Sequence, residues 1–298
     1  MVVAALGLSF QSGANDSLTY EMLNKANRKE DYLKISGRIS AYMSLAVIIA
    51  APIGTMIYKH SPTTPYLISF LLVFLSGLVV YWVKFNYIDD FSTAATYIKQ
   101  IKTGVGLALR NRKLLALFVV GLVSLTSSYV MDTNISAPLQ LKMGIDIGLI
   151  GVVQSLIAIG YVLVNYFTYK LVDKIGDVYV LVVSMLTSAV SLFILSRINY
   201  FYGAAFIVFF FMTHGLRVNV VNNLQQKEAT SGQRSTISSA GSVIKSLGTA
   251  ALLPIWGLSI DRTGIGTTLV LLGFFVLIIG LTGTWVYKRL KKSIPARG

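Results

Sequence analysis

The chain has 298 residues with a formal net charge of +14, and 54% of its residues are hydrophobic while only 13% are charged. A soluble domain usually has about 25% charged residues, so this composition excludes a water-soluble fold. In a membrane protein the positive charge belongs to the loops, and we therefore expect no nucleic-acid partner.

Nine apolar segments recur along the sequence, each close to the ~20 helical residues that cross a bilayer core. They are 2–20, 39–58, 65–85, 114–136, 147–169, 178–196, 200–221, 236–258 and 267–287. We therefore predict an all-α fold, a polytopic membrane helical bundle with nine transmembrane helices.

Lysine and arginine are concentrated on one side of the predicted membrane. The loops that follow the odd-numbered segments hold 20 of the 26 Lys and Arg residues, and the opposite loops hold four. Cytoplasmic loops retain basic residues because translocating them is unfavourable. We expect an integral protein of the plasma (cell) membrane, with its first residue outside and its C-terminus in the cytoplasm.

One long loop separates the third segment from the fourth and has a helix signal of its own. Asp90 precedes a series of apolar residues at helical spacing, with basic residues beside them: Ala94, Ile98, Ile101, Val105 and Leu109. This pattern is typical of an amphipathic helix on a membrane surface. We predict a partial N-terminal bundle of three helices at 1–90, a cytoplasmic linker helix at 91–112 and a complete six-helix bundle at 113–298.

Three short stretches carry a family resemblance. They are Ser12-Gly13-Ala14 in the first segment, Leu171, Asp173, Lys174 and Gly176 after the fifth, and Arg234-Ser235-Thr236 before the eighth. In that order they resemble the fourth helix of drug-exporter-like members, the loop between helices eight and nine, and the entrance to helix eleven of the major facilitator superfamily. On this resemblance the chain is helices four to twelve of a twelve-helix fold, with the first three absent.

The resemblance implies a secondary active transporter that works by alternating access between two bundles. It also implies a small-molecule substrate, protons or another coupling ion, a lipid bilayer around the protein, no cofactor and a monomer. The apolar segments, with 16 Tyr and 15 Phe in the chain, favour proton-coupled efflux of a small hydrophobic or amphiphilic compound.

Two other classes of protein stay open at this point. An inactive or regulatory truncated transporter is one, because only three helices are predicted for the front bundle. A polytopic membrane enzyme on lipid-linked substrates is the other, although the sequence lacks the acidic or histidine clusters that it would need. His60 and His214 lie too far apart for a zinc motif, and no phosphate-binding loop occurs. We expect neither an enzyme nor a metal protein.

Carboxylates within apolar segments are candidates for proton coupling, because ionisable groups are costly in a bilayer and usually functional there. Asp16 lies in the first segment with Ser12 and Asn15 within one helical turn. It is predicted to exchange a proton or to bond a neighbouring helix. Asp132 ends the polar run of the fourth segment and is either a proton or substrate contact or a cap of the outer loop.

Two cations lie within the predicted spans. Lys245 is near mid-depth of the eighth segment, and Arg217 lies deep in the seventh beside Asn219. They either line a cavity, where they bind an anion or balance a carboxylate, or they form interhelical ion pairs and snorkel to water. Gln154 and Tyr161 of the fifth segment are further cavity candidates, with helix packing as the alternative.

The cytoplasmic side is also predicted to hold a gate. Glu21 is expected to belong to an ionic latch there. The resemblance places four more residues in gating loops on the same side: Asp173, Lys174, Gly176 and Arg234.

Overall fold

A computed structural model of the protein describes residues 32–82, 106, 110–228 and 234–292, and every regular element in those ranges is helical. The longer helices are α1 Tyr32–His60, α2 Thr64–Trp82, α3 Arg112–Val130, α4 Ser136–Lys142, α5 Ile147–Ile175, α6 Asp177–Leu195, α7 Gly203–Glu228, α8 Arg234–Phe275 and α9 Leu281–Lys292. The predicted all-α fold is therefore confirmed for this part of the chain. The first apolar segment and most of the predicted linker lie outside the described residues.

Two π-helical turns and one glycine join helices that follow each other directly. Met131–Ile135 connects α3 to α4, and Val276–Gly280 connects α8 to α9. Within α8, Gly264 has φ 81° and ψ 167°, a backbone conformation that a residue with a Cβ rarely adopts. A straight helix of 42 residues would measure ~63 Å, about twice the thickness of a bilayer core. Gly264 therefore divides α8 into two segments.

Six helical stretches of the described chain are long and apolar enough to cross a membrane. The predicted count of nine is not reproduced by these stretches. Helix α2 has a shorter apolar run, Thr64–Val79, and the eighth and ninth predicted segments run together as Ile237–Lys291. The difference has three sources: the first predicted segment lies outside the described residues, α2 is counted as a shorter apolar helix, and the eighth and ninth segments form one helical stretch that bends at Gly264.

The main core lies among α3, α5, α6, α7, α8 and α9, with α3 at its centre. Leu117 and Val120 of α3 are fully buried and pack in one cluster with Met185 of α6 and Phe210 of α7. At the end of the bundle where α3 begins, two ion pairs tie α3 and α6 to α7: Lys113–Glu228 at 3.4 Å and Lys227–Asp177 at 3.1 Å. These contacts position the polar groups that lie between the helices.

Helices α1 and α2 lie beside this bundle. Helix α1 packs closely against α5, whereas α2 packs mainly against α1. Large apolar side chains are exposed along the whole of α2, including Phe70 at 70% and Trp82 at 83%. Such a surface is typical of a helix that contacts lipid or another apolar helix.

Candidate functional site

A buried arginine connects three helices of the bundle. The Arg217 side chain, on α7, is 1% exposed. Its Nε donates to Ser124 Oγ on α3 at 3.1 Å, and its Nη1 donates to the Ser184 carbonyl on α6 at 2.9 Å and to Ser188 Oγ. Nη2 has no partner among the described residues. The guanidinium is thus held by hydroxyls and a carbonyl, with its charge unbalanced by any described carboxylate.

Two rings extend this network toward α5. The His214 Nδ1 atom lies 2.9 Å from Ser124 Oγ. The Tyr161 ring is perpendicular to the His214 ring, with 6.4 Å between their centroids. Gly215 makes room for this contact, because a Cβ there would lie 2.7 Å from the Tyr161 ring. The Tyr161 hydroxyl also lies near Ser128 of α3.

An acidic residue lies on the π-helical turn that follows α3. Asp132 is exposed and lies near Gln154 of α5. Asp132 and Arg217 both lie within electrostatic range of the Tyr161 hydroxyl. π-Helical turns are frequent at functional sites because they redirect a side chain out of the regular helical register. The structure therefore brings four residues predicted from sequence into one region: Asp132, Gln154, Tyr161 and Arg217.

The second predicted cation packs against the same central helix. Lys245 of α8 is partly buried, and its aliphatic stem lies on Gly121 of α3, where a Cβ would come within 2.8 Å of Lys245 Cδ. The same Cβ would lie 3.6 Å from Val221 of α7, one turn beyond Arg217. No acidic side chain of the described ranges pairs with Lys245. Both cations therefore lie next to α3 without a described counterion.

The remaining predicted residues lie apart from this region or outside the described chain. The Asn219 amide donates to Asn165 Oδ1 at 2.7 Å and to Thr168 Oγ1 at 3.3 Å, which joins α7 to α5. Asp173 and Lys174 lie in the last helical turns of α5, where a loop had been predicted, and Gly176 makes the turn with φ 86°. Arg234 begins α8. Four residues fall outside the described ranges: Ser12, Asn15, Asp16 and Glu21.

Among the glycines of the described helices, Gly151 makes the closest approach to another helix, at a crossing of α1 and α5 that the sequence did not predict. A Cβ on Gly151 of α5 would lie 2.1 Å from the Ala51 carbonyl oxygen of α1. Thr55 Oγ1 donates to the Gly148 carbonyl at 2.9 Å and accepts from the Gly151 N–H at 3.2 Å. The two backbones are therefore in direct contact, as small residues at four-residue spacing permit in membrane helices.

A proline explains a second hydrogen bond of this crossing. Pro52 lies inside α1, and because proline has no N–H, the Ile48 carbonyl loses its usual helical partner. Ser155 Oγ of α5 donates to that carbonyl at 2.7 Å. The Ile48 carbonyl, which would otherwise lack a hydrogen bond, is thus paired by the opposite helix. The bond forms only in the register that places Ser155 next to Ile48.

An ion pair closes one end of the crossing. Lys59 Nζ of α1 lies 2.8 Å from Asp146 Oδ2, in the loop before α5. Asp146 also caps α5 by accepting the Gly148 N–H at 2.8 Å. The hydrogen bonds from Lys59 and Gly148 hold the pKa of the Asp146 carboxyl below its ordinary value. In the sequence, this crossing could have been recognised from two pairs of small residues with the same four-residue spacing, Ala51-x-x-x-Thr55 and Gly151-x-x-x-Ser155.

Polar and charged groups of this kind are costly inside apolar helices, and membrane proteins keep them where a solute or ion must pass. The helical stretches of membrane-spanning length indicate an integral membrane protein, and the buried polar groups around α3 are of the kind that membrane transporters contain. The sequence matches the Major Facilitator Superfamily over residues 1–251, and the chain belongs to that family. Its members bind small-molecule substrates and lie in the lipid bilayer. No curated protein matches the chain significantly.

Proposed function

We propose that the protein is a secondary active transporter that couples proton movement to the efflux of a small hydrophobic or amphiphilic compound by alternating access. The observation that carries this proposal is the α1–α5 crossing. Its contacts run from Ile48 to Lys59 on α1 and from Asp146, just before α5, to Ser155 on α5. These contacts tie the Lys59 end of α1 to the Asp146 end of α5.

The distribution of lysine and arginine along the sequence supports an orientation of the crossing in the membrane. It assigns Lys59 and Asp146 to the outer face and the beginning of α1 to the cytoplasmic face. The crossing is then held closed at its outer end, as the inward-open state of an alternating-access cycle requires. Residues 1–90 and 113–298 would be the two moving parts, and residues 91–112 would connect them on the cytoplasmic side.

The polar region around α3 supports a site for the coupled proton and the substrate. Arg217 and Lys245 supply positive charge without a described counterion, so they favour an anionic group or an ionised carboxylate nearby. Asp16 of the first segment is the carboxylate that we propose to balance them in one state of the cycle. Asp132 is the second proton-coupling candidate, since it is exposed and pairs with no basic side chain of the described ranges.

Proteoliposome flux tests the proposed coupling. The purified full chain would be assayed with ethidium as a lipophilic probe, with an imposed pH gradient and with the gradient collapsed by an ionophore. We expect gradient-dependent movement that Asp132→Asn reduces by about tenfold or more, in the range of a lost proton-transfer group. Asp261→Asn is the matched control, because Asp261 is an exposed carboxylate on α8 and should leave the flux unchanged.

Movement that persists without the gradient would remove the proton from the proposal. Flux that Asp132→Asn leaves unchanged would remove that residue from the coupling site. A correctly folded protein with no flux under either condition would favour the alternative of an inactive or regulatory transporter fragment.

A further inference from the structure

An apolar groove of about 620 Å³ lies between α3 and α9. Its lining has two polar side chains, Arg112 at one end and Thr282 along one wall. The Thr282 hydroxyl is already bonded to the Ile278 carbonyl of its own helix at 2.6 Å. The only charge that the lining offers to a ligand is therefore the Arg112 guanidinium.

The groove has a narrow floor and exposed rims. Helices α3 and α9 approach closely at Gly283, where a Cβ would lie 3.0 Å from Val120 Cγ2 and 3.4 Å from the Ala116 carbonyl. The rims are large apolar side chains that reach outward, with Val119 38% exposed and Ile278 63% exposed. This shape accepts a flexible apolar chain from the membrane side, because the floor prevents it from entering the bundle.

The length of the groove matches half a bilayer. On the α9 side its lining runs from Leu290 to Ile278, and twelve residues of helical backbone span ~18 Å. Half the thickness of a hydrocarbon core is ~15 Å. Arg112 lies at the same end as Leu290, so a chain that fills the groove would leave its headgroup beside the guanidinium.

Further basic and aromatic side chains surround that end. Arg289 lies over the Trp285 ring at 5.4 Å, and Lys288 of α9 lies over the Tyr179 ring of α6 at 4.8 Å. Tryptophan and tyrosine are typical of the membrane–water interface, and clustered basic residues next to a membrane helix attract anionic lipid headgroups. Arg112 itself is exposed, and no carboxylate in the described ranges pairs with it.

We propose that this groove binds one anionic glycerophospholipid, with an acyl chain between α3 and α9 and the phosphate on Arg112. With the orientation proposed above, the lipid belongs to the inner leaflet. The site itself does not depend on that orientation or on transport, because it is defined by the groove and the cation at its end.

Native mass spectrometry of the full chain in detergent tests the site, with phosphatidylglycerol and phosphatidylcholine of identical acyl chains as probes. We expect the first phosphatidylglycerol to bind about fivefold or more tightly than phosphatidylcholine, as one charge-assisted contact provides. Arg112→Gln should remove this preference while both lipids still bind. Val119→Trp, which fills the groove, should weaken both lipids. Arg262→Gln is the control, because Arg262 is an exposed arginine of α8 outside the groove.

Equal binding of the two lipids by the unaltered protein would overturn the proposal directly, even if a variant failed to fold. A preference that survives Arg112→Gln would place the headgroup elsewhere. Binding that Val119→Trp leaves unchanged would also contradict the site, and a mass that doubles as lipid is removed would identify a second copy of the chain as the occupant. Thermal melting of each variant establishes that it is folded.

Discussion

The roles of single residues in this protein follow from the groups that face them on neighbouring helices. Pro52 leaves the Ile48 carbonyl without a helical donor, and Ser155 of the neighbouring helix supplies one at 2.7 Å. The same logic applies to Arg217, whose guanidinium is bonded by groups of α3 and α6. In both cases a backbone or side-chain group that would be costly in lipid forms hydrogen bonds with another helix.

The sequence predicted that intramembrane charges matter, but it could not predict their partners. Arg217 and Tyr161 were singled out because ionisable and polar groups are rare in apolar segments. Their connection through His214 and Ser124 depends on how α3, α5 and α7 are rotated against each other. The rotation of each helix is set by packing between segments that are far apart in sequence. Because the apolar stretches of these helices have similar compositions, their rotation cannot be predicted from the sequence.

The Lys59–Asp146 pair gives a pH prediction. Since these hydrogen bonds lower the pKa of Asp146, the carboxylate stabilises the folded contact above its ordinary pKa, and this contribution is lost as the pH falls through the lowered value. We expect the distance between the outer ends of α1 and α5 to stay constant from pH 8 to 5 and to increase below about pH 4.

Spin-label distances would measure this effect, and the absence of native cysteine makes labelling at introduced cysteines specific. Lys59→Gln should shift the onset of separation to higher pH, because it removes the Lys59 hydrogen bond, which is the largest cause of the lowered pKa of Asp146. Lys142→Gln changes an exposed lysine near the same loop and should have no effect. Separation that begins near neutral pH in the unaltered protein would contradict this assignment.

At the level of helices, sequence periodicity and hydropathy predicted the elements well. The fifth predicted segment, 147–169, begins at the same residue as α5, which continues to Ile175. The π-helical turn at Met131–Ile135 was not predicted, because a single inserted residue changes the hydrogen bonding without changing the apolar pattern. Asp132 owes its position to that turn.

The close approach of α1 and α5 predicts that one added methyl group, at Gly151, will destabilise the protein. Gly151→Ala would place a Cβ 2.1 Å from the Ala51 carbonyl oxygen, so the helices must separate. We expect this change to cost about 1–3 kcal/mol of stability and to lower gradient-driven ethidium flux. Thermal or denaturant unfolding in detergent and the flux assay would measure the two effects.

Gly54→Ala is the matched control for this change. Gly54 lies on α1 itself, and a Cβ there meets no described atom within 4 Å. Alanine also favours a helix by about 1 kcal/mol over glycine, so Gly54→Ala should be neutral or slightly stabilising. Equal effects of the two substitutions would show that the close approach at Gly151 does not control the crossing.

For the whole molecule, we propose that α1 and α5 form the outer gate of an alternating-access transporter. Membership of the major facilitator superfamily makes transport the activity to test, and the crossing would be a place where the cycle can be stopped. The sequence supported the class through its apolar segments and alternating basic loops. It did not reveal the crossing of α1 and α5, because Ala51, Thr55, Gly151 and Ser155 are common residues that matter here only because they lie opposite one another.

Reversible cross-linking of the gate is the most direct test of this claim. Lys59→Cys and Asp146→Cys would be introduced together and joined with a short, reducible bis-thiosulfonate reagent. Gradient-driven ethidium flux should fall by about tenfold or more on cross-linking and return on reduction, because a locked gate removes one state of the cycle. Each single-cysteine variant treated in the same way should keep its flux. Undiminished flux through the cross-linked protein would contradict the account.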